Sequence, residues 1–251
     1  MENFGNINEC INDLKLKFNT INERGWIKAS SHGNGNVGIT FENELGKERE
    51  NLPIADYKGI EIKTNLEENG RKYITLFSSN PDGKYIFQNK VLLEKYGNYD
   101  KEFIDKKNLF ARVNAKNYKY VNGYYMKLNV NYKQERIYLE VYSKNFELIE
   151  RDCFWDFDTI EKKLDTKIKY LAYITAERKY INNIVYFKYT SINFYELKDY
   201  KTFIKLIEYG IIKICFKIGI YKKGKKIGNI YDHGTGFEIE KKDINKIYDS
   251  Y

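Results

Sequence analysis

The chain reads as a mixed α/β domain built on a β-sheet core, and three observations predict it. Apolar residues recur at helical spacing at Ile7, Ile11, Leu14, Phe18 and Ile21, and again at Phe203, Ile204 and Ile207. Apolar and polar residues alternate through 60–64, 109–148 and 211–239, the period of strands with one face in a core. With 42% apolar and 16% aromatic residues in 251 positions, the chain can bury a sizeable core.

The opening helix starts at Ile7 and meets a glycine stop at Gly25. Trp26 to Val37 reads W-I-K-A-S-S-H-G-N-G-N-V and carries Lys28 and His32. It is either a connector or a loop whose amides approach a phosphate backbone. A short helix bearing Glu42 precedes a strand at Ile60 to Thr64. Lys72 to Phe77 is a second strand, expected to pair antiparallel with the first, and S-S-N-P-D-G at Ser78 to Gly83 is a turn.

Val91 to Tyr96 suits a short helix, and Leu109 to Leu148 several antiparallel strands with turns at Asn122-Gly123 and Lys133-Gln134. Tyr124, Tyr125, Tyr138 and Tyr142 are read as strand packing rather than a base-stacking platform. A helix at Phe157 to Leu164, a central strand at Lys167 to Glu177 and a helix at Lys201 to Tyr209 follow. Glu177, Arg178 and Lys179 end that strand.

The excess of 43 basic over 35 acidic residues, net charge +8, favours a polyanionic partner without choosing among DNA, RNA and acidic membranes. Cys10, Cys153 and Cys215 are odd in number and widely spaced, which suggests neither a disulfide framework nor a zinc site. No apolar run has the length of a signal core or membrane span, so a soluble cytoplasmic protein is expected.

The chemistry concentrates between Gly38 and Thr64. On the alternating strand Glu61 and Lys63 point to one side, and Asp56 lies just upstream of a bend at Gly59. Two converging carboxylates suit Mg²⁺, which keeps several waters and takes one or two protein carboxylates. An ammonium beside them orients a water or stabilises a phosphoryl oxygen. E-x-K on a strand is also the ordinary pattern of a solvated face with an ion pair, and Glu42 is equally an ordinary glutamate in a first helical turn.

Val37 to Gly46, V-G-I-T-F-E-N-E-L-G, and Asn51 to Thr64, N-L-P-I-A-D-Y-K-G-I-E-I-K-T, resemble the catalytic core of the MvaI/BcnI family of type II restriction endonucleases, relatives of the nicking repair enzyme MutH. The resemblance continues through L-F-S-S-N-P at Leu76 to Pro81. It implies a restriction-endonuclease-like PD-(D/E)xK core sheet flanked by helices, in one nuclease domain over 1–251. Its catalytic region would span about 1–110 and 165–210, and its DNA-recognition region about 110–165 and 211–251. Asp56, Glu61 and Lys63 would be the catalytic triad with the proline displaced to Pro53, and Glu42 an additional carboxylate reaching Mg²⁺. In nucleases of this kind the strand beside the catalytic one often ends near the metal site, which would make Glu177 or Lys179 an accessory residue. The activity implied is Mg²⁺-dependent cleavage of double-stranded DNA by a monomer that cuts the strands in turn, with a cognate methyltransferase in the same system.

Near the C-terminus two alternating strands flank K-K-G-K-K, a hairpin tip with Lys222, Lys223, Lys225 and Lys226. Such a ribbon either enters a major groove, lysines on phosphates, or merely blunts a sheet edge. Lys217, Tyr231, Asp232, His233 and Glu238 are the accompanying DNA-binding candidates. D-H-G-T-G-F at Asp232 to Phe237 resembles the family's recognition region, but Tyr231 and Glu238 stand where the family tends to have His or Arg. The target sequence is therefore not carried over. Two rival readings are a MutH-like nicking enzyme and a non-catalytic DNA-binding protein.

Overall fold

The computed structural model describes residues 6–31, 33, 35–46, 54–68 and 72–251. The first elements are α1 (Ile7–Glu23), β1 (Ile27–Lys28), α2 (Asn36–Glu44), β2 (Ile60–Leu66), β3 (Tyr73–Ser78) and β4 (Asp82–Gly83). Then come α3 (Gln88–Tyr96), β5 (Asn98–Tyr99), β6 (Lys107–Val113), β7 (Lys119–Val121), β8 (Tyr124–Asn131), β9 (Arg136–Tyr142) and β10 (Leu148–Asp156). Next are α4 (Phe157–Lys163), β11 (Tyr170–Ile181), β12 (Ile184–Leu197), α5 (Tyr200–Glu208), β13 (Lys213–Ile220) and β14 (Ile230–Glu240). The chain ends with α6 (Ile244–Ile247) and β15 (Tyr248–Ser250). His32 and Pro53 lie outside the described residues.

The chain divides into two compact units. The first, residues 1–72, 163–198 and 248–251, holds a sheet of order β1-β12-β11-β2, with β15 also on β12. Strand β11 is central, as its apolar run leads one to expect, and β2 pairs with it in parallel, Ile60 beside Tyr170 and Lys63 beside Tyr173. The alternation along β2 has its expected effect: Ile60 and Ile62 enter a core with Leu14 and Phe18 of α1 and Phe41 of α2. The Phe41 ring lies edge-on to Tyr189 at 4.9 Å and 6.4 Å from Phe18. Apolar spacing along α1 therefore dictates which face of β2 is left for chemistry.

The second unit, residues 73–162 and 199–247, holds sheets of order β3-β14-β13-β6-β5 and β4-β10-β9-β8-β7. Its core is aromatic: Phe77 stacks on Phe237 at 4.6 Å, Trp155 meets Phe237 edge-on at 6.0 Å, and the indole N–H donates to the Ser79 carbonyl at 3.0 Å. The expected antiparallel pairing of the 72–77 strand with β2 does not occur. Strand β3 pairs with β14, with Phe77 opposite Phe237, because that register buries the two rings together. Residues 73–110 and 199–210, expected with the catalytic region, fall in this unit for the same reason: β3 and β6 are ladder neighbours of β14 and β13.

The segment expected to start a strand at Lys167 is instead a π-helical turn, Leu164–Ile168, and the strand begins at Tyr170. Truncating the wholly buried Phe41 to alanine should cost about 3–5 kcal/mol, from lost burial and the cavity left behind. Urea unfolding would show the midpoint drop at unchanged slope.

Candidate active site

Asp56 and Glu61 are brought together by a two-residue reverse turn. Tyr57 and Ile60 exchange both backbone hydrogen bonds, the Tyr57 N–H donating to the Ile60 carbonyl at 2.9 Å and the Ile60 N–H to the Tyr57 carbonyl at 2.7 Å. Between them Lys58 (φ 44°) and Gly59 (φ 83°) both take the left-handed backbone that a tight hairpin turn requires. The next residues outward are Asp56 and Glu61, so the turn sets them opposite each other with side chains to one face. The Asp56 carboxylate lies back over β2, its Oδ2 accepting from the Ile62 N–H at 3.0 Å.

Glu61 is 1% exposed. Its Oε1 accepts from the Lys63 ammonium, and the Lys167 ammonium stands 3.5 Å from Oε2. Oε2 itself is buried without a hydrogen bond. Burial pushes the Glu61 carboxyl above its usual range, an effect that Lys63 reduces, the neighbouring Asp56 charge reinforces and Lys167 reduces further. A buried carboxylate with an unbonded oxygen beside a second carboxylate is a donor set with room for a hard cation.

Helix α2 crosses β2 at a glycine: a Cβ on Gly38 would stand 3.1 Å from Thr64 Oγ1 and 3.8 Å from Glu42 Oε1. Glu42 is thus one helical turn beyond the contact with β2, half-buried. Among the described residues no three His, Cys, Asp or Glu side chains gather closely enough to hold one ion, so Asp56, Glu61 and Glu42 do not form a single cluster. Two carboxylates remain within what Mg²⁺ needs.

Lys167 is the residue that sequence reasoning missed. It lies on the π-helical turn, and only the parallel pairing of β2 with β11 reveals that this turn ends beside Glu61. Glu177 and Lys179 are corrections in the other direction. Leu171 is the neighbour of Glu61, six residues from Glu177 and so about 20 Å away along the strand. The Lys179 ammonium lies over the Trp26 ring at 4.2 Å.

In the second unit, β13 and β14 form the expected ribbon, with Lys222, Lys223, Lys225 and Lys226 exposed at its tip. Lys222 pairs with Asp100 and stands 3.4 Å from Glu102. The Tyr231 ring packs on Tyr221 at 4.9 Å and on His233 at 4.5 Å. Asp232 accepts from Asn89 at 2.9 Å and from the Gly234 N–H at 2.8 Å. Glu238, 3% exposed, is committed to Lys217 at 2.5 Å, Arg112 at 2.7 Å and the Thr75 hydroxyl at 3.1 Å, while Arg112 lies 3.8 Å over the Tyr73 ring. Glu238 and Lys217, read from sequence as separate DNA contacts, neutralise each other on the sheet.

A model of the MvaI/BcnI restriction endonuclease family matches residues 15–248, a span that takes in the turn, both lysines beside Glu61 and the ribbon. The chain belongs to the MvaI/BcnI restriction endonuclease family. A solved complex of the restriction endonuclease MvaI with its cognate DNA substrate is 32% identical, covering 100% of this chain and 98% of that one with a TM-score of 0.88. The structure of MvaI in the absence of DNA is also 32% identical, covering 97% of each chain with a TM-score of 0.59. Comparison with curated protein sequences returned no match.

As an MvaI/BcnI family member the chain is a type II restriction endonuclease acting on DNA, with the restriction-endonuclease-like mixed α/β fold expected of it. Restriction endonucleases generally use divalent metal ions, and the Asp56 and Glu61 donor set fits one. Among the described residues no helix is long and apolar enough to cross a membrane.

The Glu238 pair has a consequence for stability. Burial pushes this carboxyl up, but the bonds from Lys217 and Arg112 outweigh it and hold the group below its usual 4.5. Between the lowered and the usual value the unfolded chain binds more protons, so the pair stabilises the fold above that window and the gain is lost as pH falls through it. Glu238→Gln should therefore cost roughly 1–3 kcal/mol at neutral pH. Urea unfolding at a series of pH values should show the difference between variant and parent shrinking as pH falls below 4.5.

Proposed function

We propose that this family member is a Mg²⁺-dependent, site-specific deoxyribonuclease in which Asp56, Glu61 and Lys63 carry the chemistry. The observation that supports it most is Glu61: a buried carboxylate with Lys63 on one oxygen, the other without a hydrogen bond, and Asp56 set opposite by the turn. A purely structural ion pair gains nothing from a second, half-buried negative charge beside it.

Asp56 and Glu61 would hold the ion, and Glu42 on α2 would assist through a water. A bound divalent cation supplies Lewis-acid polarisation of the phosphoryl oxygen and a more acidic water. Lys63, fixed by Glu61, orients the attacking water and donates to the oxygen on which charge builds. Hydrolysis then leaves 5′-phosphate and 3′-hydroxyl ends. The enzyme works as a monomer that cuts the two strands in turn, in the cytoplasm beside a cognate methyltransferase that protects the host's own sites.

Double-stranded DNA is contacted through the ribbon, with Lys223, Lys225 and Lys226 on phosphates and Tyr231, Asp232 and His233 toward base edges. Lys222, tied to Asp100, orients the tip, and Lys217 with Glu238 shapes the sheet beneath it.

Digestion of a long DNA of known sequence tests the chemistry. Discrete bands should form with Mg²⁺, vanish with EDTA, and be lost with Lys63→Ala. Intact DNA despite binding would overturn the nuclease assignment, and nicked circles without linear product would point to a single-strand cutter. Replacing Lys223, Lys225 and Lys226 together by alanine should weaken binding alike on all sequences. It should also reduce the slope of log affinity against log salt by about 2–3, read from fluorescence anisotropy titrations at several salt concentrations.

A further inference from the structure

We infer that Asp13 is a positioning residue of the nuclease site: it anchors the Tyr57–Ile60 turn in the one shape that sets Asp56 opposite Glu61. The inference rests on the roles of Asp56 and Glu61 proposed above. Asp13 lies on α1, and one of its oxygens, Oδ2, accepts both from the Tyr57 hydroxyl at 2.7 Å and from the Lys58 ammonium at 2.6 Å. Two consecutive turn residues are therefore tied to a single carboxylate 44 positions away in sequence.

The turn needs that tie. Lys58 holds a left-handed backbone, which side chains other than glycine, asparagine and aspartate adopt only at a cost. In that conformation its ammonium pairs with Asp13 at 2.6 Å, a contact that helps offset the cost. The buried Tyr57 ring, flanked by the Lys17 ammonium at 5.4 Å and that of Lys58 at 5.6 Å, fixes which face of the turn meets α1. Side chains alternate along an extended segment, so seating Tyr57 against α1 sends Asp56 to the opposite side, toward Glu61. A slip of one residue would reverse the two and take Asp56 out of the site. The bonds from Lys58 and Tyr57 also hold the Asp13 carboxyl below its usual range, so the anchor stays charged wherever cleavage is measured.

The test compares Asp13→Ala, Asp13→Asn, Tyr57→Phe and Asp13→Ala/Lys58→Gly with the parent. It uses cleavage kinetics on a plasmid carrying the site and calorimetric titration of Mg²⁺ into protein without DNA. Asp13→Ala should lower kcat about 10–100-fold, as loss of an outer support of a metal site does, leave KM for DNA within about twofold, and weaken Mg²⁺ binding in step. Asp13→Asn and Tyr57→Phe, which each keep one of the two contacts and the packing, should fall between, and they carry the test if the alanine variant does not fold. Glycine adopts the left-handed backbone without strain, so the double variant should recover most of the lost kcat.

Parental kcat and Mg²⁺ affinity in the Asp13 and Tyr57 variants, or a double variant no better than Asp13→Ala, would overturn the anchor. Cleavage surviving in Lys63→Ala would overturn the site itself, so the two failures are distinguishable.

Discussion

The proposed catalytic constellation depends on a four-residue turn. Tyr57, Lys58, Gly59 and Ile60 close on themselves with two backbone hydrogen bonds, and the two acids, Asp56 and Glu61, flank them. A looser connection would leave Asp56 and Glu61 as two acids on one strand end. A two-residue turn makes them cross-strand neighbours, the one relation in which carboxylates five positions apart converge. Gly59 accepts the left-handed backbone freely and Lys58 does not. The local sequence therefore specifies half of the turn, and the packing of α1 has to specify the rest.

The rest of the first unit makes a buried acid tolerable. A carboxylate as enclosed as Glu61 is costly to ionise, and a second acid beside it adds repulsion. Lys63 and Lys167 offset that cost from different elements, one two residues along the same strand and one on the π-helical turn before β11. That turn does a second task, since the Thr166 carbonyl accepts from the Ala55 N–H at 3.3 Å, next to Asp56. One irregular stretch thus supports both acids, in keeping with the concentration of π-helical turns at functional sites. A left-handed lysine, a buried carboxylate and a π-helical turn thus gather at one place in an otherwise regular sheet.

How much of this was legible in the sequence follows from how local each cause is. The face assignment along β2 was readable because alternation is a property of consecutive residues: Ile60 and Ile62 go to the core and Glu61 and Lys63 away from it. The helices at α1 and α5 and the ribbon with its lysine tip were readable for the same reason. The partner of β3 was not, because nearness in sequence favoured β2 while the stacking of Phe77 on Phe237 favoured β14, 160 residues on. Lys167 escaped notice because a parallel ladder joins segments that share no local pattern, and Glu177 attracted notice because strand length was not yet counted against register.

Glu238 shows the same limit from the side of recognition. As a sequence letter it is an acid in a segment expected to touch base edges, and that alone suggests a base contact. In the fold it is enclosed by Lys217, Arg112 and Thr75, and Arg112 is held flat over Tyr73 by the same bond. A charge already satisfied on three sides has little left to offer a base edge. Glu238 therefore acts first on the cations around it. The groups Glu238 holds in place, Lys217 and Arg112, come from other strands, and no inspection of position 238 by itself would have led to them.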